Sequence, residues 1–339
     1  MRQAWSRWFW SAAFIAALSV FATAAIAQTA DQPHKITVTA NPLASFENRD
    51  PSRTRFGSLE FRGGLELTST EKSFGGLSGL LIGRDGASFV AISDRGHWFR
   101  GKLTYRDGRL AGLTDVETAP MRGPDGAAYS SRGRFDSEAL TEHAGKYCVG
   151  VERQNEIVCF DYAKQGLLAR GQAIAMPAIV KTFPNNQGLE AVVGVPAGQE
   201  LAGALIAISE RSLDEAGNVV AVMIDGPRPG QFSVKRTENY DISDAALLPN
   251  GDLLLLERHF SLLRGISVRI RRIPQRDIRP GATIDGATLI EADLGYQLDN
   301  MEGIAVHRSA SGETIITLVS DDNFSALQRT LMLQFALVE

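Results

Sequence analysis

The sequence has few of the residues on which several common chemistries depend. Only two cysteines and five histidines occur in 339 residues, and the histidines show no spacing typical of zinc ligands. No glycine-rich segment has the pattern of a P-loop or of a dinucleotide-binding fingerprint. Beyond the N-terminal segment, no apolar run is long enough to span a bilayer, and no helical period is sustained over about twelve residues. These absences argue against a zinc enzyme, a nucleotide-binding α/β enzyme and a helical fold.

The N-terminal segment has the pattern of a secretion signal. Arg2 and Arg7 precede an apolar stretch, and Ala25-Ile26-Ala27 is a small-x-small cleavage site. We expect residues 1–27 to be a signal peptide and the mature chain to be periplasmic or secreted, monomeric and without a stable membrane anchor; an uncleaved anchor is the alternative. Loss of two arginines moves the net charge from −4 to about −6. A mildly acidic chain is a poor partner for nucleic acid, so we expect none.

The two cysteines flank a predicted hairpin turn. Cys148 and Cys159 lie on either side of Arg153-Gln154-Asn155-Glu156 and can face each other on neighbouring strands. Export permits a disulfide between them, and two buried free thiols are the alternative. A catalytic cysteine is disfavoured because no histidine accompanies either residue locally.

Short apolar runs broken by turn signals fill the chain from Phe74 onward, a pattern typical of an all-β protein. Similar pairs of strands recur about every 50 to 60 residues, with room for four strands in each unit. We therefore predict a single β-propeller of five four-stranded blades at residues 57–339, after an extended lead-in at 28–56. The strand near residues 58–68 is expected to complete the last blade and close the ring. A sixth blade made from residues 28–75 is the alternative.

Acidic residues recur at two positions in these units, both on one face of the predicted propeller. The first position begins each innermost strand, and its predicted members are Ser78, Glu138, Glu190, Asp244 and Glu302. The second position ends each second strand, and its predicted members are Asp94, Glu152, Glu210, Glu257 and Asp321. So many carboxylates around one opening repel each other unless cations neutralise them.

Two kinds of cation can do this. A hard metal ion, above all Ca²⁺, is bound by carboxylate oxygens. The predicted metal ligands are Glu138, Glu190, Glu302, Asp321 and Asp322. Basic residues follow several of the acids and suit an anionic substrate through bidentate contacts. The predicted substrate-binding residues are Arg95, Arg153, Arg211, Arg258, His97 and His259. The alternative is that the repeated acid–arginine pairs are salt bridges that lock neighbouring blades together.

Several of these motifs together resemble a known family. They include Phe74-Gly75-Gly76-Leu77-Ser78-Gly79-Leu80, Ser93-Asp94-Arg95-Gly96, Asp136-Ser137-Glu138-Ala139-Leu140, Asn186-Gln187-Gly188-Leu189-Glu190-Ala191 and Asp299-Asn300-Met301-Glu302-Gly303-Ile304. Over residues 57–339 the chain resembles the bacterial phytase-like proteins, also described as having esterase-like activity of phytase. The resemblance implies a propeller related in shape to calcium-dependent phytases, with a phosphoesterase or esterase activity. It assigns no catalytic residue.

The leading hypothesis is an exported hydrolase that acts on a small anionic phosphate ester with the help of Ca²⁺. One alternative is a non-catalytic periplasmic propeller that binds a ligand or a protein at the same face. Another is a metal-dependent lactonase or carboxylesterase. Ser78 as an esterase nucleophile is disfavoured, because the glycine expected two residues after such a serine is absent.

Overall fold

The computed structural model describes residues 32–132, 135–262 and 265–338 of the chain. The predicted signal peptide at residues 1–27 lies outside these described residues. Within them the protein is almost entirely β-structure, as predicted. No helix in the described part is long and apolar enough to cross a membrane.

The segment predicted as an extended lead-in forms short strands on the outside of the molecule. The strands before the first blade are β1 (His34–Lys35), β2 (Val38–Pro42), β3 (Arg55–Phe56) and β4 (Leu59–Ser69). The first strand pairs with the outer edge of the first blade. Both β2 and β3 pair with β4.

Five largely antiparallel sheets form the propeller, and in the first four blades the innermost strand comes first in the chain. The first blade contains β5 (Leu77–Ile82), β6 (Ser88–Ser93), β7 (His97–Arg106) and β8 (Arg109–Pro120). The second contains β9 (Ser137–His143), β10 (Lys146–Val151), β11 (Glu156–Phe160) and β12 (Gly171–Ala173). The third contains β13 (Leu189–Gly194), β14 (Leu205–Leu213), β15 (Val219–Ile224) and β16 (Gly230–Val234).

The fourth and fifth blades complete the ring. The fourth contains β17 (Asp241–Leu247), β18 (Leu253–Ser261), β19 (Gly265–Ile273) and, after β20 (Thr283–Ile284), β21 (Ala287–Ala292). The short β20 adds in parallel to the edge of the third blade. The fifth contains β22 (Met301–Arg308), β23 (Thr314–Ser320), β24 (Thr330–Leu337) and β4. Helical structure is confined to the connections, as α1 (Tyr162–Gln165) and the 3₁₀ turns Tyr129–Arg132, Glu152–Gln154, Gly166–Leu168, Val180–Thr182 and Gln275–Asp277.

The ring closes where the two ends of the propeller meet. Antiparallel pairing of β24 with β4 runs from Thr330 opposite Leu67 to Leu337 opposite Leu59. This confirms the predicted five blades and their closure by an N-terminal strand. The residues proposed for a sixth blade instead supply β4 and the short outer strands.

Apolar residues packed between neighbouring blades form the core. Between the first two blades, for example, Trp98 packs edge-on against Phe160, with ring centroids 5.1 Å apart and both side chains fully buried. Where innermost strands crowd the axis, bulk is not tolerated: a Cβ atom added to Gly79 would lie 2.9 Å from the Cβ atom of Leu140. In the second blade, Cys148 and Cys159 lie directly opposite each other on β10 and β11 and form a disulfide.

Candidate active site

Each innermost strand begins with a β-bulge, and this bulge builds the first layer of the site. In all five blades the pairing between the first and second strands skips one residue at this point. A bulge re-aims side chains at the end of a sheet. The skipped residues are Ser78, Glu138, Glu190, Ser243 and Glu302. The first layer therefore holds three glutamates and two serines.

The fourth blade departs from the predicted alignment at this layer. Its bulge residue is Ser243, whereas Asp244 lies one residue further along, opposite Leu256. The Asp244 carboxylate is buried and accepts a hydrogen bond of 2.8 Å from the backbone N–H of Ile304. Asp244 therefore ties the fourth blade to the fifth, and the Ser243 hydroxyl does the same by donating to the carbonyl of Met301 at 3.0 Å.

The second layer of the site comes from the second strand of each blade. On each of these strands, one residue pairs with the residue just before the bulge. These pairing residues are Ser93, Val151, Ser209, Glu257 and Ser320. The residues that follow them are Asp94, Glu152, Glu210, Arg258 and Asp321. In the fourth blade the position of the acid is thus taken by Arg258. Glu257 lies inside the blade instead, where Arg269 and Arg271 bind its carboxylate at 2.9 and 2.5 Å.

Arg258 is consequently placed among the carboxylates of neighbouring blades. Its Nη1 atom donates to Glu302 Oε1 and, at 2.6 Å, to Asn300 Oδ1. Its Nη2 atom lies 3.4 Å from Glu210 Oε1 and 3.8 Å from Glu190 Oε1. This one guanidinium therefore serves as counterion to three acids, from the third and fifth blades.

The acids of both layers are held in an environment that favours protonation. Burial raises the pKa of Glu302 to about 7, although Arg258 opposes the shift. Burial, followed by repulsion from Asp321, raises the pKa of Asp94 to about 7. Loss of water contact and the neighbouring acids also raise the pKa values of Glu138 and Glu190 well above their ordinary range. The cluster holds more negative charge than its own cations balance.

Two groups of carboxylate oxygens are close enough to hold one cation each. Asp136, Glu138 and Glu152 form the first triplet, and Glu152, Glu190 and Glu210 form the second, with the candidate ligand atoms of each triplet within 4.8 Å of one another. Glu152 belongs to both, and the backbone N–H groups of Gln187 and Gly188 fix its Oε1 atom. Separately, Glu302 Oε2 and Asp94 Oδ1 are buried and find no hydrogen-bond partner within the described residues.

The structure places the predicted metal ligands in two groups, one at or beside the carboxylate triplets and one just after β23. Glu138 and Glu190 belong to the triplets, and Glu302 lies beside them on Arg258. Asp321 accepts a 2.6 Å hydrogen bond from the backbone of Asn323, and burial raises its pKa to about 6.

Asp322 is committed to holding the fifth blade against the first. Its oxygens accept hydrogen bonds from the backbone N–H groups of Gly76 and Phe324, at 2.9 and 3.0 Å, and from the hydroxyl of Thr330 at 3.0 Å. Sequence reasoning did not select Asp136, although it opens the motif that contains Glu138. An acidic residue two positions before a bulge glutamate was the available signal.

The predicted substrate-binding residues surround the mouth, and several have protein partners. Arg153 pairs with Asp136 at 2.7 Å, and Arg211 pairs with Asp241 through both Nε and Nη2. Arg95 stacks on the ring of Phe324, 3.3 Å from its centroid.

The two predicted histidines differ in location. His97 begins β7 opposite Ser93, inside the first blade. His259 lines a cavity beside the mouth, and its Nδ1 atom lies 3.1 Å from the carbonyl oxygen of Asn239.

A cavity of about 980 Å³ opens beside the mouth, over the fourth and fifth blades. We call it the side cavity. Glu210, Arg211, Arg258 and Asn300 line it and also belong to the mouth or touch residues of the mouth. The site thus consists of an acidic centre and an adjoining space large enough for a small molecule.

The fold and site together define a five-bladed propeller with an acidic channel mouth. A family model described as Phytase-like, with esterase-like activity of phytase, matches residues 72–324. The match covers most of the chain, so the chain belongs to this family, as its motifs predicted.

Solved structures resemble the chain only loosely. A glutaminyl cyclase from Myxococcus xanthus is 10% identical with a TM-score of 0.45, over 83% of this chain and 97% of that one. A PQQ-bound aldose sugar dehydrogenase from Streptomyces coelicolor is 13% identical with a TM-score of 0.41, over 84% and 99% of the two chains. Likenesses at this level carry no argument about function. No curated protein sequence matches the chain.

Proposed function

We propose that the protein is an exported hydrolase that cleaves small anionic esters, phosphate esters above all, at the acidic mouth with the help of Ca²⁺. Membership of the phytase-like family supports a hydrolytic role. The observation that carries the proposal is the pair of carboxylate triplets that share Glu152. A propeller held together by salt bridges alone does not need acids from several blades converging on one opening with so little positive charge.

The residues at the mouth fit a hard cation. The donors are carboxylate oxygens without nitrogen or sulfur ligands, which is the donor set that Ca²⁺ prefers. The unpartnered oxygen of Glu302 is a further indication, because a buried carboxylate oxygen without a donor is costly. Asp136, Glu138, Glu152, Glu190 and Glu210 would hold the ion. When bound, such an ion polarises an ester and lowers the pKa of coordinated water.

The other residues of the mouth have roles that follow from their contacts. Arg258 holds Glu302 in place and balances part of its charge. Arg153 and Arg211 are partly exposed at the rim, where guanidinium groups suit a phosphate or carboxylate. Asp94, whose pKa burial raises to about 7, is suited to hold a proton at neutral pH and so to lower the negative charge of the mouth.

One observation favours a non-catalytic role as the second candidate. Arg211 of the third blade is bonded to Asp241 of the fourth, and Arg95 of the first blade stacks on Phe324, which follows β23 of the fifth. These contacts lock blades together, as the salt-bridge alternative predicts. In that case the mouth would bind an anionic ligand without turning it over.

The test is phosphate release from phytate and from simple phosphomonoesters, in Ca²⁺ and in chelator. We expect turnover that depends on Ca²⁺ and is lost in the Glu138→Gln/Glu152→Gln double variant. Glu142→Gln is the matched control, because Glu142 is exposed at the far end of β9. Equal rates in the double variant and the wild type would refute the assignment of the mouth as the active site. Turnover of carboxylesters or lactones alone would favour the esterase alternative.

A further inference from the structure

The side cavity has an apolar rim. Phe260 is 68% exposed, Leu294 is 59% exposed and Leu327 is 94% exposed, and all three line the cavity. They make up a large share of the big apolar side chains exposed in the described part of the protein; the others are Tyr105, Leu168, Leu213 and Leu262. Apolar side chains that gather in one place on a surface mark a site where a ligand or partner covers them.

The base of the same cavity offers a guanidinium donor. Arg211 and Arg236 both bind the carboxylate of Asp241, Arg236 at 2.8 Å. Glu210, Asp299 and Arg258 also line the cavity, so its three arginines are matched by three carboxylates. The Nη1 atom of Arg211 takes no part in the pair with Asp241, and the side chain is partly exposed to the cavity. This atom is the donor available to an anionic group at the base, between the apolar rim and the acidic mouth.

We propose that the substrate is an anionic ester that carries an apolar chain or ring. This inference rests on the proposed function and narrows its substrate class. The charged group lies at the base of the cavity, near Arg211 and the mouth, and the apolar group lies along Phe260, Leu294 and Leu327. A polyanion such as an inositol polyphosphate would bring further phosphate groups against this apolar rim, where they lose water without gaining a partner. Phe260, Leu294 and Leu327 are thus specificity-determining residues.

The test separates binding from turnover by using linear alkylphosphonates from methyl to octyl. Their C–P bond resists hydrolysis, so calorimetric titration of the purified protein in Ca²⁺, below the micelle concentration, measures affinity alone. Each buried methylene is expected to lower Kd by up to about fourfold. We expect this dependence on chain length to flatten in the Phe260→Ser/Leu327→Ser double variant. Leu168→Ser is the matched control, because Leu168 is exposed in the second blade and does not line the cavity.

The matching alkyl phosphates are then assayed for phosphate release with the same variants. If kcat/KM rises with chain length in the wild type and less in the double variant, the inference is supported. If the phosphonates show the chain-length dependence but no phosphate ester is cleaved, the cavity still binds apolar anions and only the proposed function fails. If esters are cleaved with no dependence on chain length, or the double variant behaves as the wild type, the inference is overturned. Failure of both binding and turnover overturns both proposals.

Discussion

Replacing Arg258 with methionine tests whether the acidic mouth depends on one internal counterion. The change removes the guanidinium and keeps an unbranched apolar side chain of similar length. Glu190 and Glu210 then lose a cation that lies 3.8 Å and 3.4 Å from them, respectively. Glu302 loses the same cation as its hydrogen-bond donor. Removing one partner of a buried ion pair typically costs about 3–5 kcal/mol of unfolding free energy.

The unfolding free energy lost in the Arg258→Met variant should be larger at high pH than at low pH. The pKa of Glu302 is about 7 in the folded protein and near 4.5 when exposed, so the folded state binds the extra proton between these values. The unfolding free energy therefore falls as pH rises through this window, by about 3 kcal/mol for this carboxyl group, and is level above it. Without Arg258 the folded pKa values rise further, and the fall continues to higher pH. The variant should be only slightly less stable than the wild type at pH 5 and about 3–5 kcal/mol less stable at pH 8.

The measurement is urea unfolding of both proteins at pH 5 and pH 8, with chelator present. Arg153→Met is the matched control, because Arg153 is an exposed arginine of the same mouth that pairs with Asp136. We expect the control to lose about 1 kcal/mol or less at either pH. An Arg258→Met deficit that is equal at the two pH values, or larger at pH 5, would contradict the role of Arg258 as a counterion to ionised carboxylates.

Four further predictions concern the metal and the disulfide. Ca²⁺ at 100 times its Kd should raise the unfolding free energy by about 2.7 kcal/mol, seen as a melting temperature that drops on adding chelator. This shift should shrink as pH falls, because burial raises the pKa values of the proposed ligands Glu138 and Glu190 and their protonated forms bind cations poorly. The Glu152→Gln variant should lose the Ca²⁺-dependent shift because both triplets contain Glu152, whereas Glu142→Gln should keep it; the opposite pattern would place the ion elsewhere. The Cys148→Ser/Cys159→Ser variant should lose about 3 kcal/mol in urea unfolding, as expected for a bridge across a sequence separation of 11, and added reductant should bring the wild type to the same value.

The fold could be predicted because its signals are local and repeated. Apolar runs and turn residues mark each strand, and the spacing of about 50 to 60 residues identifies the blades. The pairing of β4 with β24 also follows, since a fifth unit with three strands leaves an edge that needs a partner.

The site was predicted in outline, and the fourth blade shows where sequence reasoning fails. Asp244 and Glu257 fit the acidic pattern of the other blades, yet each is one residue out of register with the layers that the bulges build. The partner strand of this bulge contains an unbroken run of leucines at 253–256, which has no alternation from which the register could be predicted. The predicted substrate-binding residues therefore include Arg258, whereas the structure places Arg258 in the acidic layer.

The full set of carboxylates at the mouth is assembled only after the propeller ring has closed. The acids of the mouth are contributed by all the blades except the fourth, and the fifth blade is joined to the segment that leads into the first blade when β24 docks between β4 and β23. That contact brings residues near 60 against residues near 335, a distant pairing of the kind that forms slowly. Until it forms, Asp321 of the fifth blade is not held against Asp94 of the first, whereas both triplets lie in the second and third blades and do not need the closure. The raised pKa of Asp94 should therefore report the completed circle, and a chain cut before β24 should regain it when a peptide of residues 328–338 is supplied as the missing strand.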